Sequence, residues 1–175
     1  MTTCPLPQFS APKIERVKRL ARRYCGSDLD DSGLEPYLLL VTLGKELLEI
    51  GNANLAKYGL GEGRCSLLVL LLEAQPEPLS HSQLAELLGV TKGSITGLVD
   101  GLEHDGLVKR EDRGEDRRTR LISLTPAGIQ VAERALPDKL RAIAGLMARL
   151  SPAERETLAA LLLKVQANLP AYRGE

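Results

Sequence analysis

The sequence predicts a mainly α-helical fold with one small β-hairpin, and three observations carry that expectation. Of the 175 residues 43% are apolar but only 3% are aromatic, with no Trp, so the core must be aliphatic, which favours helices. Most of the chain beyond residue 12 repeats apolar residues at i, i+3, i+4 spacing. Only two short runs, LVKRED (107–112) and RLISLT (120–125), read as strands, and the polar turn RGEDRRT between them contains Gly114.

Composition narrows the function classes. No apolar run approaches the roughly 18 residues of a membrane span. The N-terminal MTTCPLPQFSAPK lacks the apolar core of a signal peptide, so no membrane partner and a cytoplasmic location are expected. Formal net charge is zero, which neither supports nor vetoes a nucleic-acid partner, because a phosphate backbone responds to the local field. Cys4, Cys25 and Cys65 are odd in number and widely spaced, fitting neither a disulfide framework nor a zinc site. His81 and His104 are the only histidines, so no metal and no cofactor are expected. There is no glycine-rich phosphate loop and no plausible Ser/His/Asp set, so an enzyme is not expected.

Taken in order, residues 1–12 hold three prolines and read as a flexible tail. Residues 13–24 form a helix with Ile14, Val17, Leu20 and Ala21 on one face. Between Lys13 and Arg23 there are six basic residues against Glu15, a solvated face or an arm for phosphate or a dimer partner. An acidic loop follows, closing a segment 13–35. Pro36 suits the first turn of a long helix, 36–58, whose Leu39, Leu40, Leu43, Leu47, Ile50 and Leu55 spread over more than one side. Gly59, Gly61 and Gly63 break it, and 64–74 is a short buried helix ended by Pro76 and Pro78. Residues 36–75 thus form core and dimerisation helices.

Segment 76–125 has a different character. Ser80 and Gln83 stand in capping-box spacing, Leu84, Leu87 and Leu88 give a buried face, and Gly89 closes the helix. Thr91 is the natural N-cap of a second helix, 92–105, with Ile95, Leu98, Val99 and Leu102 inward, closed by Gly106. Two helices across a short turn, then a basic hairpin, make a winged helix-turn-helix. In 126–175, Thr125 and Pro126 start a helix to about Leu150, bent near Pro137. A capping box at Ser151, Pro152 and Glu154 starts the last helix, 152–168, and Pro170 stops it.

With LAELLGVTKGSITGLVDGLEHDGLVKR, the wing EDRGEDRRTRLISLTPAG and the tail LSPAERETLAALLLKV in view, the chain resembles the MarR family of bacterial transcription regulators over roughly residues 36–168. The most specific part is Asp116-Arg117-Arg118 followed by Leu124-Thr125 and Gly128. The resemblance implies a homodimer held by the first long helix and the last two, each winged domain meeting one half of a pseudo-palindromic operator in double-stranded DNA. It also implies a repressor released by a small aromatic or anionic effector. The alternatives are a winged-helix protein-interaction module that has lost DNA binding, and a thiol-based redox-sensing regulator.

On this reading the helix from Thr91 lies in the major groove, and Thr91, Lys92, Ser94, Ile95 and Thr96 meet DNA. The chain departs from many relatives, which carry Arg near the positions of Gly97 and Gly101. Lys92 stands against Asp100, Glu103 and Asp105, so this helix looks electrostatically weak. The wing looks stronger: Arg113, Arg117 and Arg118 lie at or beside its tip, with Arg118 the first choice for the minor groove. Asp116 is expected to orient a wing arginine by a charge-assisted bond. Tyr58, Arg64 and Cys65 are the candidate effector contacts.

Overall fold

The structure, a computed structural model, describes residues 11–26, 28–112 and 120–172. The chain divides into two compact units, one through Ala53 and one from Asn54. In the first unit, helix α1 (Ala11–Cys25) is followed by a 3-10 turn (Asp31–Gly33) and helix α2 (Leu34–Leu55). The Asp30 carboxylate accepts the Ser32 N–H at 3.0 Å and starts the turn. Arg22 forks onto Asp31 through Nε (3.1 Å) and Nη2 (3.0 Å), tying α1 to that turn. The helix therefore begins two residues inside the expected tail, whose residues 1–10 lie outside the described residues. Pro36 falls within the first turn of α2, where a missing N–H costs nothing.

In the second unit, residues 56–58 tighten into a 3-10 turn that ends at Gly59, φ +68°. Then come α3 (Glu62–Glu73), β1 (Leu79–Ser80), α4 (His81–Leu88), α5 (Lys92–His104), β2 (Val108–Asp112), β3 (Arg120–Leu124), α6 (Pro126–Leu146) and α7 (Pro152–Asn168). The sheet is antiparallel in the order β1-β3-β2. The expected caps form. Ser80 and Ser151 each complete a capping box, and the Thr91 and Thr125 side chains accept the Ser94 and Gly128 N–H groups.

Several local expectations change. Gly63 does not break a helix; it lies inside α3, and a Cβ there would stand 3.4 Å from Leu98 Cδ2, so its bare Cα brings α3 close to α5. Strand β1 was not expected; its two residues, paired Leu79 with Ile122 and Ser80 with Leu121, are too few to form a pattern. Leu87 is 60% exposed, and Leu84 with Ala85 forms the buried face of α4 instead. Helix α6 accommodates Pro137 and ends at Leu146 rather than Leu150. Pro170 falls inside a closing 3-10 turn, Leu169–Tyr172.

The core joins Leu55 and Leu60 to α3 (Leu67, Leu68, Leu71), α4 (Leu84), α5 (Ile95, Val99, Leu102), the sheet (Val108, Ile122, Leu124) and α6 (Ala132, Ala135). Each such Leu, Ile or Val side chain contributes about 1.5–3 kcal/mol by leaving water. Helix α3 is thus part of the winged domain's core. One junction aligns these elements. The Leu107 carbonyl, in the turn between α5 and β2, accepts the Thr125 N–H at 3.1 Å. The Thr125 hydroxyl bonds the Gly106 carbonyl at 2.7 Å. Helix α6 then runs so close that a Cβ on Gly128 would lie 1.9 Å from the Leu107 oxygen.

No side chain fits at Gly128, so Gly128→Ala is expected to cost about 3 kcal/mol through forced displacement of that junction, read as a lower urea midpoint. Gly97 is the control. A Cβ there meets nothing within 4 Å among the described residues, so Gly97→Ala is expected to add about 0.5–1 kcal/mol. Equal effects of the two substitutions would contradict the close approach at Leu107.

Candidate nucleic-acid interface

Helix α5 divides into a buried side and an exposed end. Ile95, Val99 and Leu102 point into the core, while Thr91, Lys92, Gly93, Ser94, Thr96 and Gly97 are exposed. Ile95, expected to serve DNA as well as the core, is 0% exposed and has no surface to offer a base; it is withdrawn from the interface. The Thr91 hydroxyl sits 2.9 Å from that of Ser94, and Thr96 Oγ1 donates to the Lys92 carbonyl at 3.1 Å. The first turn holds no acid, so the positive end of the helix dipole and its free N–H groups are unopposed.

The acids that made α5 look weak are engaged at its other end. Arg110 of β2 binds both Asp100 and Glu103, and Arg64 of α3 binds Asp105. The pairing register explains Arg110. Val108 stands opposite Leu124 and Arg110 opposite Ile122, so period-2 alternation puts Arg110 on the core side, against α5. Its side chain is only 19% exposed. The bond from Arg64 holds the Asp105 carboxyl below its ordinary value, and the bond to Asp100 holds Arg110 firmly charged. Arg110 is therefore a fastening between sheet and helix. Its register was the sequence signal that would have shown this.

On the opposite face of the sheet Lys109 pairs with Glu111 at 2.8 Å, and Ser123 Oγ donates to Glu111 at 2.6 Å. Arg120 is exposed. The expected wing contacts Arg113, Asp116, Arg117 and Arg118 lie outside the described residues.

Tyr58, Arg64 and Cys65 each make separate contacts within the second unit. Tyr58 Oη donates to Asp138 at 2.7 Å, Arg64 turns to α5, and Cys65 is buried in the core. Burial pushes the Cys65 thiol up, away from the reactive thiolate. Cys25 is exposed; Cys4 lies outside the described residues.

A polar seam that the sequence did not reveal ties α3 and the turn before it to α6. Asp138, one residue after Pro137, receives Lys57, Tyr58 and, at 3.0 Å, Arg141. Lys139 Nζ binds Glu62 and, at 2.9 Å, Ser66. Arg141 aside, the partners are some 80 residues apart in the chain, so no local pattern marks them. The Lys57 bond, then that of Tyr58, lowers the Asp138 carboxyl from 3.8 to about 2.

Comparison with known proteins gives one consistent result. A family model described as the MarR family matches residues 59–119. The chain is 34% identical over 151 residues to the HTH-type transcriptional repressor YetL of Bacillus subtilis, spanning 86% of this chain and 89% of that one. CouR from Rhodococcus jostii RHA1, solved bound to p-coumaroyl-CoA, is 27% identical with a TM-score of 0.60, covering 75% of this chain and 88% of that one. The Staphylococcus aureus MepR–DNA complex, at 24% identity and a TM-score of 0.72 over 75% of this chain and 96% of that one, shares the fold.

The depressed Asp138 carboxyl predicts a pH signature. A carboxyl held low stabilises the fold above its ordinary value, and that contribution disappears as pH falls from about 4 towards about 2. Urea titrations of the wild type and Asp138→Asn should differ at pH 6, draw together as pH falls through about 2, and converge only below it. A constant gap across that range would show that the charge of Asp138 contributes nothing.

Proposed function

Because the chain belongs to the MarR family of DNA-binding transcription regulators, we propose that it is a homodimeric repressor that reads a pseudo-palindromic operator and leaves it when a small effector binds. The observation that carries this reading is the division of α5: an exposed, acid-free first turn at one end, and acids held by arginines at the other. Thr91, Lys92, Ser94 and Thr96 then contact the major groove. Hydroxyls and bridging water carry much of the base recognition. Arg118 enters the minor groove, with Arg117 second and Arg113 beside it on phosphate, and Asp116 orients a wing arginine.

The dimer is supported by apolar side chains left in water. Every residue of α7 is exposed, including Leu158, Leu161, Leu162, Leu163 and Val165. In the first unit Leu39, Leu40, Leu43, Leu48 and Ile50 of α2 are exposed too. Contiguous patches larger than a few hundred Å² are rare on soluble monomers, and a second copy is the covering expected. The repressor role follows YetL's description. For the effector, the seam around Asp138 supplies Lys57, Tyr58 and Arg141, groups that an aromatic anion would compete for. An effector preferring the released state by about 1–3 kcal/mol is enough. Burial of Cys65 argues against it as the thiol of a redox switch.

The test is binding of full-length protein to the DNA flanking its own gene, followed by fluorescence anisotropy across a salt series. About five phosphate contacts per subunit predict a log–log slope of about −9. Arg118→Ala should weaken binding roughly tenfold with the dimer intact by size-exclusion chromatography. A slope near zero would instead favour a protein-interaction module.

A further inference from the structure

We propose that Arg64 is a positioning residue for DNA recognition: from the first turn of α3 it holds the C-terminal end of α5 and so sets where the other end meets the bases. The proposal rests on α5 being the element that reads DNA. Arg64 Nη2 binds the Asp105 carboxylate, and the Gly101 carbonyl lies 3.5 Å away. A cation at a helix C-terminus is also favoured by the helix dipole. The neighbouring Gly63 lets Leu98 pack against the same turn. The first turn of α3 thus meets α5 at Leu98, Gly101 and Asp105, while Thr91, Lys92 and Ser94 occupy the opposite end.

The geometry is that of a lever. From Asp105 to Lys92 the helix runs about 20 Å, so a tilt of about 5° at the held end moves the DNA-facing end by nearly 2 Å. Hydrogen bonds to base edges do not survive such a shift. Attraction to phosphate does, because it depends on charge within a Debye length rather than on ångström-scale fit. Arg64 therefore controls preference for the operator, not general affinity for DNA.

Arg64 Nε is buried with no hydrogen-bond partner among the described residues, so the grip on α5 runs through Nη2. The turn that carries it is in turn fastened to α6, through Glu62 and Ser66 to Lys139. Any displacement of α6 at this seam reaches α5 through α3.

The test compares full-length wild type, Arg64→Ala, Arg64→Lys, Asp105→Asn and the Arg64→Ala/Asp105→Asn double variant on operator and scrambled duplexes, with thermal midpoints recorded. Arg64→Ala and Asp105→Asn should each lower operator affinity about tenfold. Affinity for the scrambled duplex and the salt slope should stay within about twofold of wild type. The double variant should lose no more than either single one, because both act through one link. Arg64→Lys should recover part of the preference. Asp105 is nearly half exposed, so Asp105→Asn should fold even if Arg64→Ala does not. An unchanged operator-to-scrambled ratio in Asp105→Asn, or an equal loss on both duplexes, would overturn the proposal. A wild type that binds both duplexes but with no preference, or a Lys92→Ala variant that keeps full preference, would instead remove the base-reading role of α5, and this role of Arg64 with it.

Discussion

The carbonyl oxygen of Leu107 is the point on which the second unit is aligned. It ends the turn leaving α5, accepts the backbone of Thr125 where β3 becomes α6, and lies where only glycine, at Gly128, lets α6 pass. Helix, wing root and C-terminal helix are thereby fixed to one another by backbone atoms, which hold position better than long side chains. Arg110 from β2 and Arg64 from α3 then grip the same end of α5. Three elements hold one end of the helix, and the other end stays exposed.

This arrangement explains how a chain of zero formal net charge can meet a polyanion. The three acids of α5 pair with two arginines of neighbouring elements, Asp100 and Glu103 with Arg110 and Asp105 with Arg64. Half-exposed ion pairs of this kind add little to stability. Their effect is on geometry and field: the carboxylates are neutralised locally, and the first turn of α5 keeps its dipole and Lys92 uncontested. What counts for DNA is where the positive charge stands, not how much of it the whole chain carries.

Features encoded within a few residues were legible in the sequence. The capping boxes at Ser80–Gln83 and Ser151–Glu154, the Thr91 and Thr125 caps and the glycine stop at Gly89 all follow from local backbone chemistry. The winged topology followed from their order. Features that need a distant partner were not legible. The ion pairs of Arg64 and Arg110 are of this kind, because Asp105, Asp100 and Glu103 are brought to them only by folding. Ile95 was asked to face two ways, though one side chain serves one environment. Strand β1 was too short to show alternation, and the Asp138 seam joins segments about 80 residues apart. Gly128 was recognised as part of a motif; its reason, the Leu107 oxygen, is visible only in three dimensions.

The central claim is that the exposed first turn of α5 reads the major groove, one copy per half-site. Dimethyl sulfate footprinting of the bound operator tests it most directly, since the reagent marks guanine N7 in the major groove and adenine N3 in the minor. The account predicts two symmetric patches of N7 protection, one or two helical turns apart, that disappear together when Lys92 and Ser94 are both replaced by alanine. Protection confined to the minor groove, or a single patch with no symmetry mate, would contradict it.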